Sequence, residues 1–190
     1  SSEIRFVGGC IRKIIQREIV DDIDLATNLN PQQICEVLKN NNINYFETGK
    51  EHGTITAVID DYKFEITSLR EDIKTDGRHA EVRFSNDWKK DALRRDFTFN
   101  SIYSDREGNL FDPFNGKEDL KNGVIKFIND PEQRIKEDYL RILRYLRFYL
   151  SYSNHKHDLK TSKLIKKNIE GISNLSKERL LDELKKFFKS

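Results

Sequence analysis

The sequence predicts an α/β (α+β) protein in two parts, a β-rich module with interspersed helices over residues 1–129 and an all-helical module over residues 130–190. Three observations carry this. Up to Asn129, runs rich in β-branched and aromatic residues alternate with short helical stretches. From Pro131 the apolar spacing turns helical and stays so. Charge changes sign at the same place: residues 1–131 hold 19 Lys and Arg against 24 Asp and Glu, and residues 132–190 hold 15 against 8. An acidic front suits the collection of divalent cations and a basic back suits a polyanion, although a Lys-rich helical surface gives the same tally.

Residues 4–9, IRFVGG, read as a short buried strand ending in a glycine turn, and CIRKIIQRE then places Ile11, Ile14 and Ile15 at helical spacing. A strand follows within VDDIDLATNLNP. In NPQQICEVLKNNN, Asn30 is suited to cap a helix with Pro31 at its first position and Ile34, Val37 and Leu38 on one face. Residues 53–69 are two β-rich runs meeting at Asp60 and Asp61, a hairpin. Residues 70–87 are polar and aperiodic, which predicts a mobile loop. DWKKDALRRDF has helical character, NSIYSDREGNLFDPF predicts a second hairpin, and GVIKFI is expected as the last strand. DPEQRIKEDYLRILRYLRFYL then reads as one helix, broken at SYSNHKH and followed by further helical segments.

Composition narrows the function classes. Charged residues make up 35% of the chain with a net charge of +2, a heavily solvated surface that does not by itself announce nucleic acid. Cys10 and Cys35 lack metal-ligand spacing, so they read as small buried hydrophobes in a reducing cytoplasm. Apolar runs are too short to span a bilayer, and the first residues carry no signal-peptide pattern. Oligomeric state has no signature in the sequence.

The chemistry concentrates in VDDIDL. Strand alternation puts Asp22 and Asp24 on one face and Ile23 and Leu25 on the other. Two adjacent carboxylates repel, and a hard divalent cation such as Mg²⁺ satisfies both. A turn or helix cap accounts for Asp21 and Asp22 equally well, but does not require Asp24. Glu65 reads either as a third carboxylate from a neighbouring strand or as a solvent-facing strand residue. Gly8 and Gly9, between strand and helix, form either a plain turn or a phosphate cradle with Arg12 as a charged clamp.

Taken in order, VGGCIR, DIDLAT, RRDFTFNSI, FDPFNGKEDL and EDYLRILRYLRF resemble the successive motifs of the class II tRNA nucleotidyltransferase and poly(A) polymerase family, the CCA-adding enzymes. The resemblance runs from Phe6 to Phe148. It implies a polymerase-β-like head with a mixed sheet and flanking helices, then a helical neck. It assigns Asp22 and Asp24 as Mg²⁺ ligands; Glu65, from its place on a neighbouring strand, is the candidate third catalytic carboxylate. Gly8, Gly9, Arg12, Arg95, Asp96 and Asn100 would bind nucleotide from the head, and Asp138, Arg141, Arg144 and Arg147 from the neck. Asp138 and Arg141, three residues apart on one expected helix, are neighbours able to read the amino and ring-nitrogen edges shared by cytosine and adenine. Arg147 falls about half a turn from Asp138 on such a helix, which favours Arg144 for contact with the nucleotide.

The implied activity is addition of C, C and A to the 3′ end of tRNA from CTP and ATP. A poly(A) polymerase, an enzyme adding only CC or only A, and a tRNA-binding fragment without full activity stand as alternatives. Lys13 departs from the family, which usually has Asp there. Family members also continue beyond the position of Ser190 into helical regions that hold tRNA, so head and neck is the portion expected here.

Overall fold

A computed structural model describes residues 2–75 and 80–188. Its strands are β1 (Ile4–Val7), β2 (Ile23–Thr27), β3 (Asn44–Gly49), β4 (Thr54–Ile59), β5 (Tyr62–Ser68), β6 (Arg70–Thr75), β7 (Ala80–Phe84), β8 (Tyr103–Ser104) and β9 (Leu110–Phe111). Its helices are α1 (Gly9–Ile15), α2 (Pro31–Asn40), α3 (Trp88–Leu93), α4 (Gly116–Lys121), α5 (Pro131–Glu137), α6 (Leu140–Tyr152), α7 (Leu159–Asn168) and α8 (Lys177–Phe187). Seven strands form one mixed sheet in the order β3-β4-β5-β2-β1-β8-β9, with β2 and β5 parallel and the other neighbours antiparallel.

Local chemistry explains the elements around the sheet. Asn30 caps α2 through a reciprocal pair: its side chain accepts from the Gln33 N–H at 2.9 Å, and Gln33 Oε1 accepts from the Asn30 N–H at 3.0 Å. The helix then lays Ile34, Cys35 and Leu38 against Ile55, Ala57 and Ile66 of the sheet, while Val37 faces solvent. Asp60 and Asp61 turn the β4–β5 hairpin with φ of 47° and 66°, the left-handed pair that a two-residue turn needs.

Three sequence expectations are corrected. Residues 70–75 and 80–84 are not loop but an antiparallel two-stranded ribbon, β6 with β7; residues 76–79 of the expected loop lie outside the described residues. A two-stranded ribbon carries polar residues on both faces, so it leaves no period-2 signature. GVIKFI is not a strand but holds an isolated bridge, between Phe127 and Phe97. The long helix expected after Pro131 is two helices. Asp138 between them is extended (φ −157°, ψ 106°), and its carboxylate accepts from the Leu140 N–H at 3.1 Å.

The largest core cluster joins Phe97, Phe99 and Ile102 to Ile135, Ile142, Tyr145, Phe148 and Ile165, so it draws on both sides of residue 129. Phe148 meets Phe97 and Phe99 edge to face at 5.4 and 5.1 Å. Burial of each such side chain contributes about 1.5–3 kcal/mol. That shared core fixes α6 against α1 and the Phe97–Ile102 segment.

Candidate active site

On β2 the predicted alternation holds for Asp24 and Leu25, while Asp22 precedes the strand. Leu25 packs with Phe64 and Ile66 under α2, leaving Asp24 on the open face. Parallel pairing sets Asp24 directly beside Glu65 of β5. Burial raises the Asp24 carboxyl; Arg95 opposes this and Asp22 adds to it. Glu65 is raised by burial and then by Asp24 and Asp22. Among the described residues no three His, Cys, Asp or Glu side chains converge into a metal cluster, so Glu65 neighbours the aspartates without closing a shell around an ion. The donor set of Asp22 and Asp24 is all oxygen, anionic and mutually repelling, which fits a hard divalent cation.

Gly8 sets the opposite edge of this face. Its φ of 75° with ψ of −124° suits glycine, and a β-carbon there would lie 3.5 Å from Arg95 Nη1 and 3.9 Å from Asp24 Oδ2. The backbone thus passes between a guanidinium and a carboxylate. The Gly8 N–H already donates to the Ile102 carbonyl at 3.4 Å, so it is not the open donor that the glycine turn predicts.

Arginines form the facing wall, each held by an acceptor. Arg95 donates to Asp91 at 3.1 Å and to the Tyr103 hydroxyl at 3.1 Å. Burial would lower the Arg95 guanidinium, but Asp91 more than offsets this and holds it above its ordinary value. Arg12, buried, donates to Tyr152 Oη at 3.2 Å and to Asn100 Oδ1, and lies 4.8 Å over the Phe148 ring. Asn100 donates on to Asp96 at 2.9 Å, and Asp96 accepts also from the Phe97 N–H at 2.8 Å and from Arg144 Nε at 2.6 Å. Burial alone would raise the Asp96 carboxyl, yet Arg144 and Asn100 hold it down at about 2. One relay therefore runs from α1 through Asn100 and Asp96 to α6. Arg134 braces it from α5, donating to the Arg94 carbonyl at 2.6 Å.

These walls enclose a cavity of about 550 Å³ that brings together Gly8, Gly9, Arg12, Asp22, Asp24, Arg95, Asp96, Asn100, Arg144 and Arg147. Its volume lies in the range of small-molecule sites. Ten of the thirteen predicted residues meet there. Glu65 lines a second cavity that shares the aspartates. Asp138 and Arg141 line neither of these two cavities. They are not neighbours on one helix: Asp138 pairs with Arg179 of α8 at 2.7 Å, and Arg141 with Glu137 at 2.7 Å. Arg147 lines the cavity together with Arg144 of the same helix.

Sequence reasoning missed the contribution of α8. Its Glu183, 3% exposed, accepts from Arg147 at 2.7 Å and lies 3.8 Å from Arg144, while its Lys186 lines the cavity beside the aspartates. A glutamate and a lysine in a Lys-rich helix carry no signal of that kind by themselves. Tyr152 was also missed. Lys13, the departure from the family pattern, pairs with Asp21 at the rim.

A mixed sheet bearing paired aspartates beside a glycine turn, faced by arginines from a helical extension, defines a nucleotidyltransferase head of the polymerase-β kind. The model of the poly A polymerase head domain family matches residues 4–126, and the chain belongs to that family. It is 48% identical over 187 residues to CCA tRNA nucleotidyltransferase 1, mitochondrial, of Homo sapiens, covering 97% of this chain and 43% of the relative. It is 40% identical over 183 residues to the CCA-adding enzyme of Staphylococcus epidermidis, covering 95% and 44%. The Bacillus stearothermophilus CCA-adding enzyme in complex with CTP superposes with a TM-score of 0.86 at 28% identity, over 98% of this chain and 44% of that one. A tRNA nucleotidyltransferase complexed with a primer tRNA and an incoming ATP analog gives 0.76 at 29% identity, over 98% and 54%. The chain thus spans less than half the length of these curated relatives. No helix among the described residues is long and apolar enough to cross a membrane.

Proposed function

We propose that the chain is the head and neck, residues 1–129 and 130–190, of a Mg²⁺-dependent enzyme that adds C, C and A to the 3′ end of tRNA from CTP and ATP. The observation that carries this reading is the single cavity in which a carboxylate pair faces buttressed arginines. Asp22 and Asp24 would hold the ion; when bound, it lowers the pKa of the attacking 3′ hydroxyl and neutralises the departing pyrophosphate. Relatives whose names state CCA addition, and neighbours holding CTP or a primer tRNA, support it.

In this reading the arginines do the binding. Arg12, Arg95, Arg144 and Arg147 offer charged donors to the triphosphate beside Gly9, and their own partners fix them before the nucleotide arrives. Asp96 and Asn100 are positioning residues, since their polar atoms are spent on one another and on Arg12 and Arg144. Glu65 raises the local negative potential next to Asp24. Base reading stays with Asp138 and Arg141, each of which must exchange its present partner, Arg179 or Glu137, for a base edge. Uracil and guanine present a carbonyl where cytosine and adenine present an amino group, so they leave polar groups unpaired. A cytoplasmic location, expected from the two free cysteines, is kept beside relatives named mitochondrial.

The test is transfer of labelled CMP from CTP to an RNA acceptor ending at its discriminator base, with Mg²⁺ and with chelator. Label in the RNA only with Mg²⁺ supports the reading; equal label with chelator, or none in either, overturns it.

A further inference from the structure

The two aspartates of the site are not held alike. Asp24 lies inside β2 and is fixed by its pairing with Glu65 of β5, whereas Asp22 precedes the strand and is exposed. Residues 16–22 connect α1 to β2, so the end of that connection sets where Asp22 stands. Lys13, in the last turn of α1, gathers it from two sides. The chain reverses at Arg17, whose φ of 60° is left-handed, and the Glu18 N–H donates back to the Lys13 carbonyl at 2.8 Å. The Lys13 ammonium then reaches past this turn to the Asp21 carboxylate.

Little else restrains this segment. Val20 packs against the main core, but Ile19 is 88% exposed. Among the described residues the Lys13–Asp21 pair is the one side-chain hydrogen bond made by residues 19–22. Charge gives the pair a second consequence. Asp21, Asp22 and Asp24 bring three carboxylates to the same cavity, which Lys13 also lines. An ammonium on Asp21 takes that carboxylate out of competition for an ion and leaves Asp22 and Asp24 as the donors. The family's usual Asp at this position would instead set a like charge against Asp21.

We propose that Lys13 is a positioning residue for the cation site: by tying Asp21 to α1 it holds the adjoining Asp22 where it can share an ion with Asp24. The proposal rests on the reading of Asp22 and Asp24 as metal ligands. It also fixes a sign. A lysine acting only through its charge repels the ion, so its removal would tighten metal binding. A lysine that holds Asp22 in place has the opposite effect, because without it the segment must be ordered at the moment of binding.

The experiment is titration of this chain with Mn²⁺, the free ion being read by electron paramagnetic resonance, with CTP affinity and metal-free amide hydrogen exchange measured on the same variants. Lys13→Ala should weaken Mn²⁺ binding by about three- to fivefold, the upper end for a partly exposed ion pair, and speed exchange at residues 19–22. Asp21→Asn should do the same, and the double variant should be no worse than either single one. Lys13→Asp alone should bind Mn²⁺ no better than Lys13→Ala, and adding Asp21→Lys should restore both binding and protection by remaking the pair in reverse. Equal or tighter Mn²⁺ binding by Lys13→Ala would overturn the positioning role while leaving the metal reading in place. A fall in CTP affinity with Mn²⁺ affinity unmoved would overturn it as well and assign Lys13 to the nucleotide. Mn²⁺ binding that is absent from the wild-type chain, or unchanged by Asp22→Ala, would overturn the metal reading and the proposal with it.

Discussion

Asp96→Asn removes a charge from the middle of the relay that joins α1 to α6, while keeping the shape of the side chain. The ionised carboxylate has a pKa of about 2 in the fold against an ordinary 3.8. A depressed acid contributes stability that is present above its unfolded value and lost as pH falls through its folded one. The difference corresponds to about 2 kcal/mol at neutral pH, roughly half of it remaining at pH 3. Asp96 is nearly buried, so solvent does little to screen this. Urea denaturation of wild type and Asp96→Asn at pH 7 and pH 3 should therefore give a difference of about 2 kcal/mol that narrows on acidification. Arg144, released from its partner, should also raise the CTP KM with a smaller change in kcat. A stability difference independent of pH would refute the ion pair as its source, and an unchanged KM would refute Asp96 as the residue that positions Arg144.

Other perturbations address the remaining parts of the site. Asp22→Ala and Asp24→Ala should each abolish transfer yet change stability by no more than about 0.5 kcal/mol, since burial and repulsion disfavour the charged Asp24; activity assays with urea melts check this. Asp138→Ala or Arg141→Ala should weaken use of CTP and ATP and relax rejection of UTP and GTP by about 1–3 kcal/mol per lost contact, read from kcat/KM for the four nucleotides. Shortening residues 75–82, which take in the described ends Thr75 of β6 and Ala80 of β7, should spare CTP incorporation and depress ATP incorporation; single-nucleotide extension assays distinguish this from equal loss of both.

What the sequence disclosed was mostly local or periodic. Alternation on β2 exposed the aspartates because the same strand had to bury Leu25, and Asn30 with Pro31 and Gln33 announced the start of α2. The family resemblance supplied the arginines of α6, which periodicity alone reads as a solvated face. Non-local information was missing. The break at Asp138 is invisible in an apolar pattern that runs through it, because a single extended residue with a side-chain cap costs the pattern nothing. Glu183 and Lys186 look like the exposed side of a charged helix until α8 packs on α6 and turns them to the site. β3, which carries Phe46, went unread in the sequence, and only cross-strand register shows that Phe46 shares a face with Asp24.

The most direct measurement is the length of the product when this chain, Mg²⁺ and a tRNA lacking its last three nucleotides are incubated with CTP alone, with ATP alone, and with both. Extension by two residues with CTP, by none with ATP, and by three with both is the expected result. Growth of a long tail with ATP alone would assign poly(A) synthesis instead, and no extension under any condition would contradict the assignment of this cavity as a nucleotidyltransferase active site.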